Sequence, residues 1–394
     1  MAMRHLKDLN VAGKRVLCRV DFNVSTDKKT GAIKDDTRIV AALPTIRALL
    51  DGGAKVILCS HFGRPEGRDP KLSLKPVAER LQSHLGKPVA FAADCVGPEA
   101  AAAVNALKDG GVLVLENLRY HEGEEADDAA FADQLAKLAD VYVNDAFGAA
   151  HRAHASVHAV AKKFNEKAAG LLMEKEVDYL GRALLKPEHP YVVILGGAKV
   201  SDKIKVINKM LEVADTVLIG GAMAYTFLLA QGKPTGKSLI EPDFVQTAKD
   251  VLAKAAKLNK QFLLPLDHVV AEKFEANAPH QVVGADGIPP GSMALDVGPK
   301  TVERYSAEIA KAKMVVWNGP LGVFELEPFN AGTFAIAHAV AGNSKATSIV
   351  GGGESVAAAK KAKVADRITH ISTGGGASLE FLEGKILPGV AALE

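Results

Sequence analysis

The feature that most constrains the fold of this chain is a pattern in which a short apolar run ends at a glycine cluster and a helical pattern follows. The first copy lies in residues 191–210, YVVILGGAKVSDKIKVINKM. A strand that ends in a glycine turn before a helix leaves unpaired backbone N–H groups at the helix start, where they attract anions. The pattern recurs at 217–221, 348–353 and 370–376. It predicts an α/β domain whose glycine turns approach a ligand repeatedly.

Two lysines, Lys199 and Lys203, follow the first glycine turn. On a helix this spacing places both on one face, near the positive end of the helix dipole, where a cation is disfavoured unless an anion lies beside it. One interpretation is a phosphate-binding helix start; the other is a buried strand and a helix whose lysines extend into water. We favour the phosphate site because glycines and lysines point to the same place, although the segment matches neither a Walker A loop nor G-x-G-x-x-G.

The first half of the chain repeats a different pattern, in which an apolar run is followed by polar or charged residues. The runs cover 15–20, 55–60, 112–115 and 141–143, and helical patterns such as 38–50 and 126–138 lie between them. Strands that alternate with helices predict a parallel sheet, and ligands of such sheets bind beyond the carboxyl ends of the strands. The sequence therefore predicts a second α/β domain with its site at that edge.

Basic side chains collect at these predicted strand ends and helix starts. Their positions favour a small polyanionic ligand, because arginine forks suit phosphate and carboxylate groups. The nearby pattern His151, His154 and His158 could bind a metal on a helix, but no carboxylate or cysteine completes the set and Arg152 would repel a cation. We expect anion contacts and helix capping there instead. The basic set is Arg38, His61, Arg64, Arg119 and Arg152.

Length and composition limit the class of protein. The 394 residues suit two or three domains, and the helical pattern of 166–186, which ends at Pro187 and Pro190, is the best boundary and suits a hinge. With 48 Lys and Arg against 46 Asp and Glu, no global charge suggests nucleic acid or an acidic membrane. The three cysteines are typical of buried thiols in a protein of a reducing compartment. Neither a signal-peptide core nor a long apolar run occurs, so we expect a soluble, cytoplasmic protein.

Seven segments, in order along the whole chain, resemble the signature segments of the phosphoglycerate kinase family. They are RVDFNV at 19–24, HFGRP at 61–65, AHRAHAS at 150–156, GGAKVSDK at 196–203, WNGP at 317–320, GGG at 351–353 and STGGGAS at 372–378. The resemblance implies two parallel-sheet, Rossmann-like α/β domains that face a cleft. It implies a 3-phosphoglycerate-binding domain at 1–170, a connecting hinge helix at 171–186, a nucleotide-binding domain at 187–378, and a segment at 379–394 that returns to the first domain.

The resemblance implies a phosphotransferase that moves a phosphoryl group reversibly between 1,3-bisphosphoglycerate and ADP, giving 3-phosphoglycerate and ATP in glycolysis and gluconeogenesis. It implies Mg²⁺ with the nucleotide and a monomer, and no nucleic-acid or membrane partner. The implied substrate-binding residues are Asp21, Phe22, Asn23, Arg38, His61, Phe62, Gly63, Arg64, Arg119 and Arg152. The implied nucleotide-binding residues are Gly197, Lys199, Lys203, Gly221, Asn318, Pro320, Gly322, Glu325, Gly352, Gly353, Glu354 and Ser355. The implied catalytic residues are Arg38, Lys203, Gly353 and Gly375.

One position departs from the family pattern. The family commonly has an aspartate after the three glycines, on the magnesium side of the nucleotide, and this chain has Glu354. The longer side chain leaves open whether it would bind Mg²⁺ directly or through water.

Two other classes of function are weighed against the kinase. A nicotinamide-dependent dehydrogenase shares the fold class, but the chain contains no G-x-G-x-x-G. A catalytically silent nucleotide-binding protein on the same fold is the alternative of a different class, and the basic set and both lysines argue against it.

Overall fold

The computed structural model describes residues 3–27 and 29–394. Contacts between Cα atoms divide the chain into two compact units. Unit 1 comprises Met1–Asp178 and Ile386–Glu394, and unit 2 comprises Tyr179–Lys385. Each unit contains its own six-stranded parallel sheet, so the prediction of two parallel α/β sheets is confirmed.

Unit 1 is built on a sheet with the strand order β5-β6-β4-β1-β7-β8. Its strands are β1 (Arg15–Arg19), β2 (Ser25–Thr26), β3 (Ile33–Asp35), β4 (Lys55–Cys59), β5 (Ala90–Ala92), β6 (Val112–Leu115), β7 (Val141–Asn144) and β8 (Lys167–Ala169). Its helices are α1 (Thr37–Asp51), α2 (Lys75–Leu85), α3 (Gly97–Ala106), α4 (Ala129–Ala136) and the first part of α5 (Leu171–Leu185). Strands β2 and β3 form a separate antiparallel pair.

The central strands of unit 1 are buried because helices cover the sheet, as expected for parallel strands. Helix α1 shows how the sequence produces this cover. Its buried residues Ile39, Ala42, Ile46 and Leu49 recur at helical spacing and join the core that contains β1 and β4. The chain order of the strands reverses between β1 and β7, and in open α/β sheets ligands bind at such a switch point.

Unit 2 is built on a sheet with the order β11-β10-β9-β15-β16-β17. These strands are β9 (Tyr191–Leu195), β10 (Thr216–Ile219), β11 (Gln261–Leu263), β15 (Met314–Asn318), β16 (Thr347–Gly351) and β17 (His370–Ile371). An antiparallel sheet, β13-β12-β14, consists of β12 (Asp267–Ala271), β13 (His280–Gly284) and β14 (Met293–Val297). The helices are α6 (Ile204–Val213), α7 (Met223–Ala230), α8 (Val245–Lys257), α9 (Pro299–Lys311), α10 (Ala331–Gly342), α11 (Gly353–Lys361) and α12 (Gly376–Leu382).

The order of strands in unit 2 reverses between β9 and β15, which are neighbours in the sheet. Every residue of both strands is buried, and their apolar side chains pack in one core with α9 and α10. The loops after β9 and β15 therefore lie side by side at the switch point, where a ligand is expected.

Two expected boundaries differ from the structure. The helical pattern of 166–186 begins as strand β8 (Lys167–Ala169), and α5 starts only at Leu171, after Gly170. A Cβ on Gly170 would lie 2.2 Å from Asp145 Oδ1, so this turn needs glycine. Helix α5 passes from unit 1 to unit 2 between Asp178 and Tyr179.

The segment that joins unit 1 at the end of the chain is shorter than 379–394. It begins at Ile386, because residues up to 382 continue α12, whose buried Leu382 belongs to unit 2. The last helix, α13 (Pro388–Ala391), is tied to unit 1 by hydrogen bonds from the Gly389 N–H to the Ala150 carbonyl, at 2.9 Å, and from Lys167 Nζ to the Ala392 carbonyl, at 2.7 Å. Within the parts of the chain that the structure describes, no helix is both long and apolar enough to cross a membrane.

Candidate active site

The strand ends of unit 1 hold Arg38 in a fixed position. Arg38, in the first turn of α1, donates from Nη1 to both carboxylate oxygens of Asp21, each at 3.0 Å, and to the Asn23 carbonyl at 3.1 Å. Asp21 and Asn23 come from the loop after β1. A cation at a helix N-terminus is unfavourable by itself, so the Asp21 carboxylate is the group that stabilises Arg38 there.

A chain of hydrogen bonds continues from this arginine across the sheet edge. Asn23 Oδ1 accepts from the Gly63 N–H at 2.9 Å, and the Gly63 carbonyl accepts from Arg119 Nη1 at 2.6 Å. Gly63 has a φ of 63° and a Cβ there would lie 2.7 Å from Leu72, so only glycine fits this link. The loops after β1, β4 and β6 are thus joined around Arg38 and Arg119.

Arg119 is the most buried of the predicted arginines, with its side chain 6% exposed. Burial lowers its pKa from the usual value, Glu125 opposes the shift through an ion pair at 3.0 Å, and Arg152 adds to it. Its buried Nε donates to no other described residue. The guanidinium therefore retains hydrogen-bonding capacity for an anionic ligand.

The two histidines near these arginines are neutral. Burial lowers the pKa of His61 well below its usual value, and Arg19, Arg119 and Arg38 lower it further. Burial also lowers the pKa of His154 to about 4, with Arg119 contributing. These electrostatic effects show that His61 lies near Arg38 and Arg119, and that His154, one of the three histidines at which anion contacts were expected, lies near Arg119.

The remaining members of the substrate set differ in exposure. Arg64 and Arg152 are exposed, and Arg152 Nε donates to His151 Nε2 at 3.3 Å. Phe22 and Phe62 belong to the hydrophobic core, so only their backbone groups can contact a ligand. The Phe62 backbone is held by the side chain of Asn117, which accepts from its N–H at 3.0 Å and donates to its carbonyl at 2.7 Å.

The glycine loops of unit 2 pack backbone against backbone. The Gly197 N–H donates to the Pro320 carbonyl at 3.1 Å, and the Gly221 N–H donates to the Leu321 carbonyl at 2.8 Å. A Cβ on Gly196 would lie 2.0 Å from the Pro320 oxygen, a separation that no side chain can occupy. The loops after β9, β10 and β15 therefore meet only because these positions are glycine.

The predicted helix start at the two lysines is wrong. Helix α6 begins at Ile204, five residues after Lys199, and the residues between form turns in which Val200 is buried. Lys199 is exposed, whereas Lys203 is half-buried at the N-cap position and donates from Nζ to Asn318 Oδ1. Burial lowers the pKa of Lys203, and Glu354 partly opposes this shift.

The start of α11 faces the same loops. Gly352 is the N-cap with a φ of 89°, and Ser355 Oγ accepts from the Gly319 N–H at 2.5 Å. Gly353 and Glu354 are exposed in the first turn. No hydrogen bond or ion pair joins the Glu354 carboxylate to another described residue. Gly375 is the N-cap of α12 and has a φ of 53°.

A cleft of about 460 Å³ lies among these loops in unit 2. Its lining includes Gly197, Gly221, Pro320, Gly322, Glu325 and Glu354 from the predicted nucleotide set. The rest of the lining includes residues that were not predicted, namely Tyr225, Lys237, Leu239, Phe274, Met293 and Leu295. Phe274 is 60% exposed and Leu239 is 55% exposed, so apolar surface is available for a flat ligand. The antiparallel sheet that carries Met293 and Leu295 was not predicted, and its strands show no regular alternation of buried and exposed residues that would have signalled it.

The only tryptophan of the chain, Trp317, lies beneath the cleft on β15. It is fully buried, and its Nε1 donates to the Gly319 carbonyl at 2.7 Å. A core side chain thus holds the glycine loop from below.

The described residues include one group that could hold a metal ion, and it lies outside the predicted site. It consists of Asp94, Cys95 and His121. Arg68 is bonded to Asp94, and burial raises the pKa of the Cys95 thiol well above its usual value. Both facts disfavour a cation there. The three histidines of 151–158 lie outside any helix, and His158 Nδ1 is hydrogen-bonded to Asp127 Oδ2 at 2.6 Å.

Comparisons with known proteins identify the family. The family model described as phosphoglycerate kinase matches residues 6–385. The chain belongs to the phosphoglycerate kinase family. Among curated relatives named phosphoglycerate kinase, that of Koribacter versatilis is 58% identical over 100% of this chain and 99% of the relative. That of Moorella thermoacetica is 59% identical, with the same coverage.

Solved structures agree with this assignment. Phosphoglycerate kinase from Coxiella burnetii superimposes with a TM-score of 0.91 at 41% identity, covering 100% of this chain and 99% of that one. The enzyme from Pyrococcus horikoshii gives 0.86 at 36% identity, covering 99% and 98%. Membership in the phosphoglycerate kinase family makes this protein a phosphotransferase, and nothing in these comparisons favours a catalytically silent protein.

Proposed function

We propose that this phosphoglycerate kinase family member transfers a phosphoryl group reversibly between 1,3-bisphosphoglycerate and ADP, with 3-phosphoglycerate bound by unit 1 and the nucleotide by unit 2. The observation that carries the proposal is the hydrogen-bonded chain from Arg38 through Asn23 and Gly63 to Arg119. It holds two cationic side chains in fixed positions at a sheet edge. Such an arrangement suits a small ligand that carries both a carboxylate and a phosphate.

On the substrate face, we assign charge neutralisation to the arginines and hydrogen-bond donation to His61. Arg38 and Arg119 are held by Asp21 and Gly63, so little side-chain entropy remains to be lost when an anion binds. Arg64 and Arg152 are exposed and would close on the phosphate from the rim of the site.

In unit 2, the cleft supports the nucleotide assignment by the chemistry of its lining. Phe274, Leu239 and Leu295 supply apolar surface that suits a base, and Glu325 is available for a ribose hydroxyl. The loops at Gly197 and Gly221 and the start of α11 offer backbone groups for phosphates. Lys203 would bind the transferred phosphoryl group, with Asn318 fixing its Nζ.

Glu354 suits a role beside Mg²⁺. Its carboxylate lines the cleft, is exposed, and has no ion pair with a described residue, and Mg²⁺ prefers oxygen ligands and retains several waters. When bound, the ion would neutralise charge on the nucleotide phosphates. Burial lowers the pKa of Lys203, and the same carboxylate partly opposes this shift and so favours the charged lysine.

The chemistry needs no general base, because a carboxylate or a diphosphate oxygen is already ionised near neutral pH. Catalysis then depends on positioning and on neutralising charge at the transferred oxygens. We assign these charges to Arg38 and Lys203, with backbone N–H groups near Gly353 and Gly375 as further donors. Because the two ligands are assigned to separate units, direct transfer requires that the units bring the ligands in line, and α5, which passes from one unit to the other, is the candidate hinge. We further propose a cytoplasmic monomer.

A coupled assay with 3-phosphoglycerate and Mg-ATP tests the proposal most directly. We expect turnover that requires all three components. Protection against thermal unfolding provides an independent measurement, in which ADP should protect and NAD should not. Protection by NAD alone would favour a dehydrogenase, and protection by ADP without turnover would favour the silent nucleotide-binding protein.

A further inference from the structure

A buried cation lies directly beneath the substrate face of unit 1. Arg19, the last residue of β1, is fully buried, and all three of its donor nitrogens are engaged. Nε donates to Ser156 Oγ at 3.1 Å, Nη1 to the Val20 carbonyl at 2.8 Å, and Nη2 contacts His61 Nδ1 at 3.1 Å. The first two contacts fix the plane of the guanidinium, and the third reaches the histidine of the substrate face.

The contact with His61 determines where that ring carries its proton. A guanidinium has only donors, so His61 Nδ1 must accept this hydrogen bond. The proton of the neutral ring must then lie on Nε2, on the other side of the ring from Arg19. A protonated ring is disfavoured as well, because burial and three neighbouring arginines lower the pKa of His61.

A second buried residue keeps Arg19 in place. Glu124 is fully buried, and its Oε1 lies 3.9 Å from Arg19 Nη2. Ser156 joins the two, because its N–H donates to Glu124 Oε2 at 2.9 Å and its hydroxyl donates to Oε1 at 2.6 Å while accepting from Arg19. Burial raises the pKa of Glu124 and Arg19 opposes the shift.

A buried ion pair is an unfavourable way, in free energy, to stabilise a fold. Burying two charges costs several kcal/mol each, and apolar residues of similar volume often serve stability as well or better. A half-buried arginine on the same strand shows the ordinary alternative, since Arg15 Nη2 lies 2.6 Å from Asp140 Oδ1 and the Arg15 side chain is 34% exposed. The buried pair differs from it in one respect that bears on function, which is the hydrogen bond to His61.

We propose that Arg19, held by Glu124 and Ser156, is a positioning residue that fixes His61 in the Nε2–H form, so that His61 presents a hydrogen-bond donor to an anionic oxygen of the substrate. The proposal rests on the assignment of His61 to the substrate face. It assigns Arg19 no contact with the substrate. Arg19 acts through the orientation and protonation of another side chain, as outer residues do for metal-bound histidines.

The tautomer can be measured without any variant. Nitrogen NMR of the full-length protein labelled with ¹⁵N-histidine should show His61 as a single neutral Nε2–H tautomer at neutral pH. A predominant Nδ1–H form or an imidazolium would overturn the proposal. This measurement uses the free protein, so it remains decisive even if 3-phosphoglycerate turns out not to bind. Failure of the proposed function would appear separately, as absence of 3-phosphoglycerate binding in the parent.

Substitution of Arg19 then tests the consequence for the substrate. Arg19→Met should give a mixture of His61 tautomers and raise the KM for 3-phosphoglycerate about tenfold, the loss expected for one charge-assisted hydrogen bond. The KM for Mg-ATP should not change. Arg19→Lys keeps a donor and no acceptor, so it should restore the tautomer in part. Arg15→Met, on the same strand, is the matched control and should change neither quantity.

Coupling between the two residues separates positioning from general destabilisation. In a His61→Ala background, Arg19→Met should have no further effect on the affinity for 3-phosphoglycerate, because the two changes act on one interaction. Additive losses would overturn the proposal. If Arg19→Met does not fold, Ser156→Ala replaces it, since it removes the bridge to Glu124 and should loosen the tautomer preference. A sharp, unchanged Nε2–H signal in Ser156→Ala together with lower substrate affinity would also contradict the proposal.

Discussion

The groups that we propose to bind anions differ in kind between the two units. In unit 1 they are side chains, and the two least exposed arginines are held in place, Arg38 by Asp21 and Arg119 by the Gly63 carbonyl. In unit 2 most groups are backbone, brought together because Gly196 and its counterparts have no Cβ. Lys203 is the exception, and it too is held by a strand-end residue, Asn318.

Because of this difference, we expect the two sites to respond differently to mutation. A site made of side chains should lose affinity step by step, since each residue supplies its own hydrogen bonds. A site made of packed backbone should be insensitive to many side-chain changes but should collapse when one added methyl group separates the loops. The predictions below test this contrast, beginning with the largest expected effect.

Adding one carbon to the glycine loops should have the largest effect. Gly196→Ala would place a Cβ 2.0 Å from the Pro320 oxygen. We expect a loss of about 3 kcal/mol in the free energy of unfolding and loss of ADP binding, because the backbone must move. Thermal unfolding and calorimetry measure both. Gly342→Ala is the matched control, since nothing lies within 4 Å of its Cβ. A stable Gly196→Ala that binds ADP normally would show that the loops are not rigidly packed.

The second-largest effect is expected from removing a positive charge that stabilises the transition state. Arg38→Ala and Lys203→Ala should each lower turnover by about 100-fold, the loss found for one positioned donor of charge. Neither KM should rise comparably, because the interaction is made mainly in the transition state. Steady-state kinetics with both substrates varied gives the answer. Intact turnover with raised KM values would limit these residues to binding the ground-state ligands.

The side-chain character of the unit 1 site is tested at its exposed rim. Arg64→Ala or Arg152→Ala should weaken 3-phosphoglycerate binding by about 1.5 kcal/mol, roughly tenfold, for the loss of one charge-assisted hydrogen bond. ADP affinity should remain near that of the parent. Isothermal titration with each ligand makes the comparison. Equal losses for both ligands would refute the assignment of the two anions to separate units.

Each unit also contains a buried carboxyl group that holds backbone N–H groups near its site. Burial raises the pKa of Asp145 to about 7 and that of Asp296 to about 8. Because the unfolded pKa is about 3.9, the native protein binds the additional proton above pH 4, and stability falls as the pH rises from about 4 to 7 or 8.

Asparagine at these positions should distinguish the two groups. Asp145 Oδ1 accepts from both the Leu172 and Met173 N–H groups, at 2.9 and 3.2 Å, so Asp145→Asn keeps the cap of α5. It should be more stable than the parent at neutral pH, with the difference shrinking as the pH falls and vanishing near pH 4. Asp296 uses both oxygens, for Gly332 and Val297, so Asp296→Asn should lose stability. Denaturant unfolding across pH measures this, and parallel curves for Asp145→Asn and the parent would contradict it.

The smallest effect is expected at Glu354. If this residue only complements the dipole of α11, Glu354→Gln should cost a few tenths of a kcal/mol in stability and leave the magnesium dependence of turnover unchanged. If it organises Mg²⁺, the same change should raise the Mg²⁺ concentration needed for half-maximal rate, and Glu354→Asp should restore or improve it. We expect the second result. A magnesium titration of Glu354→Gln that overlays the parent curve would decide for the dipole.

The structural features that could be predicted from the sequence are those determined by residues close together in the chain. The strand after which each site residue falls was predicted within one or two residues, as for β9 and β15, because a continuous apolar run before a glycine or polar turn is a local signal. The parallel order followed from alternation with helices. The predicted basic residues therefore follow strands of the unit 1 sheet, while their role in binding a ligand stays a prediction.

What the sequence did not predict depends on partners far away in the chain. The helix start at Lys199 failed because Val200 turns into the core before α6 begins. The sheet that brings Met293 and Leu295 to the cleft requires β12 to pair with both β13 and β14, which no local pattern specifies. The partnership of Arg19 with Glu124 likewise exists only after β1 and the loop at 124 meet.

Trp317 gives the enzyme an optical probe confined to one unit. Since the chain has no second tryptophan, indole emission originates only in unit 2, at a site fully shielded from water. The indole is hydrogen-bonded to the carbonyl of Gly319, in the loop that meets Gly196. The wavelength of Trp317 emission should therefore shift when a nucleotide moves that loop, and it should shift to the red when unit 2 unfolds. Unfolding of unit 1 should leave the emission unchanged. Fluorescence and circular dichroism recorded together would resolve the two units of the unmodified protein.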